Sequence, residues 1–473
     1  MSANDHLLHP DRLFPADPSV RTLARRLYSD VKDLPIVSPH GHTDPAWFAS
    51  NAAFTDPVSL LITPDHYVLR MLYSQGIALE DLGVGALGGA GSGSERDARK
   101  IWNLFASKFH LFRGTPTDLW MKHVFHEIFA IDRALNEENA QYFFDTMADQ
   151  LRSAAFAPRA LFERFRIEIL ATTDAATDSL EAHTKIRKEW KGRVVPTYRP
   201  DASVDPEHES FSWSLDELSR MTGEDARTWK GYLNAHAKRR AFFKLSGATA
   251  TDHGHPTALT WDLSEIEAEK LFARVQKPPC DPSEAELFRA HMLVKMAEMS
   301  LDDGLVMQLH PGSYRNHNPT VMSKFGRDKG ADIPVAVEYT RSLKALLNRV
   351  GNDSRLSLVL YTLDETNYAR ELAPLAGHYP ALKLGAPWWF HDSPDGMMRF
   401  RRQVTETAGF ANTAGFVDDT RAFFSIPARH DVARRIDCRF LAELVAEHRL
   451  GEGDAHQLAE ELATGLARKA YRV

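Results

Sequence analysis

The segment LPIVSPHGHTDP, Leu34 to Pro45, places two histidines one residue apart directly after an apolar run. Alternate residues of an extended strand point to the same side, so His40 and His42 can aim both imidazoles at one point. Gly41 between them has no side chain to obstruct a bend. Two imidazoles and a carboxylate from elsewhere in the chain would make three protein ligands for a divalent ion. In isolation an HxH is more often a loop with two polar residues than a metal site. A second His-Gly-His, His253 to His255, follows the polar run SGATATD, where extended alternation is not assured. Only the first ends an apolar strand, and it is the better candidate.

The third ligand should be a carboxylate at the end of a late strand. FVDDTRAF offers Asp418 and Asp419, and because neighbouring strand residues face opposite ways, one of the two enters the site. His310, in VMQLHPG, is a further ligand, an acid/base group, or a histidine bonded to loop backbone. Asp252 also stands at a predicted strand end, as do Arg199, Arg315 and Arg421. A guanidinium fork suits a carboxylate, and three in equivalent positions point to an acidic substrate. Trp388 and Trp389 supply an apolar wall for a sugar face, or fill the core. HVFHE, His123 to Glu127, inverts the metalloprotease HExxH order and reads as helix surface or packing. No GxSxG elbow follows a strand, which leaves Ser/His/Asp catalysis unsupported.

These residues need elements whose ends converge. Asp17-Pro18-Ser19 reads as a helix cap with proline at the first position, followed by Val20, Leu23, Leu27 and Val31 at helical spacing. From about Leu60 to Arg166 the pattern is mostly helical, with Trp102, Phe105, Phe109 and Phe112 as aromatic anchors. Within it GVGALGGAGSGSERD, from Gly83, reads as a mobile loop without the Lys-Ser/Thr ending of a phosphate-binding loop. Strand and helix signals then alternate to the end, and a helix carrying Leu343, Leu346, Leu347 and Val350 stops at Gly351. About eight strand–loop–helix units with nearly continuous apolar strands predict a closed (β/α)8 barrel rather than an open sheet. Its catalytic domain would comprise residues 1–59 and 167–473, with a helical insertion at 60–166 after the first strand. The polar residues named above would then meet at the C-terminal face.

Bulk properties agree with this frame. The 473 residues are 43% hydrophobic and 26% charged, enough for a large core. A formal net charge of -7 argues against non-specific nucleic-acid binding. Two cysteines, Cys280 and Cys438, exclude a disulfide scaffold. MSANDHLLHPDRLF lacks the pattern of a secretory leader and no run approaches a membrane span, so a soluble cytoplasmic protein is expected.

With these motifs in view, the chain resembles the uronate isomerase (glucuronate isomerase) family of the amidohydrolase superfamily over almost its whole length. The likeness runs from LARRLY through the HxH and DHYVLRMLYSQGI, then TTDAATDSLEAH, PTYRPD, Asp252-His253 and QLHPGSYRNHN. It ends with GAPWWFHD and DDTRAFFSIPARHDVARR. The resemblance implies a (β/α)8 barrel that isomerises D-glucuronate to D-fructuronate and D-galacturonate to D-tagaturonate through a cis-enediol. It also implies a divalent metal, usually zinc, on His40, His42 and Asp419, the last matching the family's Asp-x-Arg at Asp419-Thr420-Arg421. His66 and Tyr67 match the family's His-Tyr pair; Tyr67 or His66 would shuttle the C2 proton, a nearby cation such as Arg421 letting Tyr67 act as base, while Asp419 would assist ring opening. Arg199, His310, Arg315 and Trp388 or Trp389 would hold the hexuronate, in a possible homo-oligomer. Asp418, His317 and the alanine of GAPWW depart from the family pattern. A metal-dependent hydrolase using the same HxH and aspartate is the alternative.

Overall fold

In the computed structural model, which describes residues 7–87 and 93–473, the first strand is Ile36–Ser38, buried at every position. Residues 88–92, the centre of the glycine-rich stretch, and 1–6, part of the leader reading, lie outside the described residues. The first strand pairs in parallel with Ile167–Ala171. That strand pairs with Val194–Val195, and the same two runs pair again at Asp174–Ala175 and Tyr198–Arg199. Thr172 N–H donates to the Val195 carbonyl at 2.9 Å and Asp174 N–H to the Thr197 carbonyl at 3.0 Å, so each run is one continuous strand. Parallel pairing passes on through Ala250–His253, Val306–Leu309, Leu358–Leu360 and Leu382–Leu384. An eighth extended segment follows, with Thr413 bridged to Leu384. His42 N–H donates to the Thr420 carbonyl at 3.0 Å, joining the chain just beyond the eighth segment to the chain just beyond the first. This is a (β/α)8 barrel with its strands in sequence order.

The helices form for local reasons and are held by the core. Asp17 accepts from Ser19 N–H and Val20 N–H at the start of Pro18–Val31, a cap that contributes about 1 kcal/mol. Leu23, Leu27 and Val31 on its inner face are buried against the C-terminal helices. Each contributes about 1.5–3 kcal/mol by leaving water. The helix Lys344–Val350 ends at Gly351, as the spacing predicts.

Between the first and second strands lie helices from Pro45–Ser50 to Pro158–Arg164. Their aromatic residues, Trp102, Phe105, Phe109 and Phe112 among them, share one apolar cluster with Ile36, Ile167 and Leu170 of the barrel and with Phe423 and Phe424 beyond its eighth segment. The helix His66–Ser74 is fixed in this layer by its Asp65 cap, which accepts from Tyr67 N–H and Val68 N–H. HVFHE lies where the helix Pro116–His123 runs into a wider turn, Val124–Ile128; Val124, Phe125 and Ile128 are buried, so the stretch packs. Among the described residues no helix is long and apolar enough to cross a membrane.

Candidate active site

His40 and His42 leave the first strand with both Nε2 atoms on one carboxylate oxygen. His42 Nε2 is 3.1 Å and His40 Nε2 is 3.3 Å from Asp419 Oδ1. Ligand atoms about 2.0–2.2 Å from a tetrahedral ion stand about 3.4 Å apart, so this donor set fits a divalent metal. Asp419 reaches that position with φ at +39°, a backbone region uncommon for a side-chain-bearing residue. Burial raises the carboxyl's pKa, but the two imidazoles more than offset it and hold Asp419 well below the ordinary carboxylate range. Asp418 faces away, and its Oδ2 accepts from His430 Nε2–H at 3.1 Å.

A second polar chain abuts the first. The His310 ring stacks on His40 with centroids 4.6 Å apart, and on Tyr361 at 4.1 Å. Its Nδ1–H donates to Asp252 Oδ1 at 2.6 Å. The His310 Nε2 is buried without a partner among the described residues, so its in-plane lone pair is free to accept a proton. Asp252 Oδ2 lies 3.2 Å from Arg199 Nη1, and Arg199 Nε donates to Asp201 Oδ2 at 2.7 Å. Arg199 is therefore clamped by two carboxylates. Its pKa is raised: burial opposes the charge, and Asp201 and Asp252 outweigh it.

The helix His66–Ser74 and the loops after later strands bring aromatic residues together beside it. His66 and Tyr67 stack at 4.6 Å, His66 meets the Trp389 ring at 5.5 Å, and Tyr67 Oη–H donates to the Trp389 carbonyl at 3.2 Å. Trp388 packs edge-on against His310 at 4.7 Å. Arg315 lies over Trp389 at 5.2 Å while pairing with Asp332 at 3.1 Å. Burial drives the His66 pKa down to about 3 and pushes that of Tyr67 far up. Both are consequently neutral near pH 7.

Two expectations change. Arg421 does not serve Tyr67 as a cation; it pairs with Asp328 at 3.0 Å and is 40% exposed. The guanidinium facing the Tyr67 ring is Arg429, 5.6 Å from its centroid and 3.6 Å from that of Trp120. Arg429 forms a buried ion pair with Asp392, and neither residue stood out from spacing. The second His-Gly-His also ends a strand, Ala250–His253, so the extended alternation that SGATATD left unassured is present there. It differs from the first in what it meets: His253 Nε2 contacts Thr251 Oγ1 at 3.0 Å, and among the described residues no carboxylate joins the two rings as Asp419 joins His40 and His42.

Known proteins match this chain in sequence and in fold. The sequence pattern of the family described as Glucuronate isomerase matches residues 19–469. A uronate isomerase of Phenylobacterium zucineum is 60% identical over 467 residues, 98% of this chain and 97% of that protein. The crystal structure of a glucuronate isomerase from Caulobacter crescentus superposes with a TM-score of 0.97 at 57% identity, covering 99% of this chain and 97% of that one. A uronate isomerase from Thermotoga maritima does so at 0.91 and 28% identity, over 98% and 99%. With sequence and barrel matched from end to end, the chain belongs to the glucuronate isomerase family.

Proposed function

We propose that the chain interconverts aldo- and ketohexuronates, D-glucuronate with D-fructuronate and D-galacturonate with D-tagaturonate. The observation that carries this reading is the convergence of His40, His42 and Asp419 with the Asp252–His310 pair and the clamped Arg199. The relatives compared above are uronate isomerases, and no feature of the site favours the hydrolase alternative over them.

The reaction moves two hydrogens and consumes nothing else. The C2–H bond breaks, a C1=C2 enediol forms as the C1 carbonyl oxygen gains a proton, and C1 then takes a proton as the C2 hydroxyl becomes a carbonyl. Arg199, and with it Arg315 and Arg421, would hold the carboxylate, and Trp388 and Trp389 would cover the sugar face. His310 suits the proton transfer between C2 and C1. Asp252 fixes its tautomer and stabilises the imidazolium, while Nε2 stays free. Burial argues against Tyr67 and His66 as bases; the protonated phenol and neutral imidazole suit hydrogen bonding to the sugar oxygens. A divalent ion, for which the two-imidazole and one-carboxylate set favours zinc, would be held by His40, His42 and Asp419 and would stabilise negative charge on substrate oxygen. Two free thiols, Cys280 and Cys438, fit a cytoplasmic setting.

The test is turnover of D-glucuronate to a ketouronate, followed with substrate deuterated at C2. His310→Asn should lower kcat by about 10²–10⁴-fold if it moves the proton. Absence of ketouronate from either uronate, with zinc supplied, would sink the isomerase reading. Full activity of His310→Asn would sink only the role of that residue.

A further inference from the structure

At the other end of the barrel, where the first strand begins at Ile36, lies a cavity of about 460 Å³ that no part of the proposed reaction uses. It is walled by the first helix, the end of the insertion and the helix Ile426–Ala446. Its volume lies in the range of small-molecule sites, about 300–1,000 Å³. Six cations line it: Arg12, Lys32, Arg164, Arg166, Arg434 and Arg435. Three carboxylates, Asp33, Glu127 and Asp431, oppose them.

The pairing inside the cavity is uneven. Asp431 is taken by Arg12 at 2.5 Å, by Arg435 at 3.0 Å and by the Tyr28 hydroxyl. Asp33 is taken by Lys32 at 3.1 Å and Arg166 at 2.9 Å. Arg164 and Arg434 hold only backbone carbonyls. Arg164 donates to the carbonyls of Glu127 and Ile128 at 3.1 and 2.8 Å, and Arg434 to those of Lys32 and Pro35 at 3.0 and 2.8 Å. The Lys32 carbonyl, and those of Glu127 and Ile128, lie at two helix C-termini, each end equivalent to roughly half a negative charge. The excess of three positive charges therefore falls to about two. Arg434 is 6% exposed, and its Nε has no hydrogen-bond partner among the described residues.

We infer that this cavity binds a small dianion, a phosphate-bearing or dicarboxylate metabolite, whose charge Arg164 and Arg434 complement, with the Asp33-paired Arg166 beside them. Occupancy would reach the catalytic end through one side chain. His430 lines the cavity and donates from Nε2 to Asp418 Oδ2 at 3.1 Å, one residue before the metal-ligand candidate Asp419. The site is thus placed to tune the isomerase without contacting its substrate.

The experiment titrates the metal-loaded full chain with inorganic phosphate and, separately, succinate at constant ionic strength, by calorimetry and by the shift in Tm. Saturable binding of at least one anion is expected. Its affinity should fall about tenfold or more in the double variant Arg164→Gln/Arg166→Gln, whose sites are partly exposed and whose turnover without added anion should hold. Arg199→Ala, which weakens anion binding at the catalytic end, should leave the affinity unchanged. Binding of phosphate alone identifies a phosphate-bearing ligand, and binding of succinate alone a dicarboxylate. No saturable binding, affinity untouched by the double variant, or affinity abolished by Arg199→Ala would each overturn the inference. None of these outcomes depends on whether the chain turns over a uronate.

Discussion

Gly254 sits in the middle of the second His-Gly-His, and replacing it with alanine tests the arginine clamp directly. A methyl at this position would lie 2.5 Å from Arg199 Nη2 and 2.8 Å from Asp201 Oδ2. Neither neighbour is free to move. Arg199 is tied to Asp201 at 2.7 Å and Asp252 at 3.2 Å, and Asp201 also accepts from Gly254 N–H at 3.1 Å. Carbon contacts settle near 3.5–4.0 Å, so the guanidinium must retreat by about 1 Å. Misplacing a substrate-positioning group by that much costs roughly 10²-fold in rate. Losing one charged hydrogen bond costs about 1.5–3 kcal/mol, or roughly 10–100-fold. The two routes agree. We expect kcat/KM for D-glucuronate to fall about 10–100-fold in Gly254→Ala, with much of the loss in KM if Arg199 grips the carboxylate before reaction.

Overpacking can also lower stability by about 1–3 kcal/mol, so circular dichroism and Tm must show the variant folded at the assay temperature. Asp201→Asn keeps the shape of the clamp and weakens its charge; its effect should be smaller and in the same direction. A folded Gly254→Ala that keeps kcat/KM within about twofold would refute the claim that Arg199 is held in place for substrate.

Three other outcomes are expected. His40→Asn or Asp419→Asn should reduce bound metal from about one ion per chain to a small fraction, read by elemental analysis of the dialysed protein. His236, buried and bonded through Nδ1 to the Tyr198 hydroxyl at 2.6 Å, has its pKa driven by burial to about 3. The unfolded chain therefore binds a proton there that the folded chain refuses between about pH 6.5 and 3, and the stability this histidine contributes is lost as pH falls through that window. His236→Gln should make the slope of unfolding free energy against pH shallower there by close to one proton; an unchanged slope would contradict the burial argument. For the buried Arg429–Asp392 pair, Arg429→Met or Asp392→Asn alone should cost about 3–5 kcal/mol in denaturant unfolding. The double variant should cost clearly less than the two combined, and simple additivity would mean the pair is not coupled.

What the chain reveals by pattern and what it conceals follow from the same geometry. Apolar runs and helix caps are local, so the first helix, the stop at Gly351 and the strand before His40 can be read by spacing. The choice of Asp419 over Asp418 needed the family likeness; in the fold the two carboxylates do face apart, one to His40 and His42 and the other to His430. Strand ends inside a barrel, however, carry polar side chains that are buried because the barrel closes around them. Ala250–His253 reads ATDH, every residue of it buried, and a four-residue polar strand looks like a loop until its parallel neighbours are known. The partners that decide electrostatics are further away still. Arg421 finds Asp328 across 93 residues, and Arg429 finds Asp392 across 37. Nothing in local spacing distinguishes the arginine that turns to a surface aspartate from the one that lies over Tyr67. His66 and Tyr67 enter from a helix outside the barrel repeat, so no strand-end rule selects them. A catalytic site assembled at strand ends therefore lies where periodicity is weakest, and only contacts between distant segments can assign its charges.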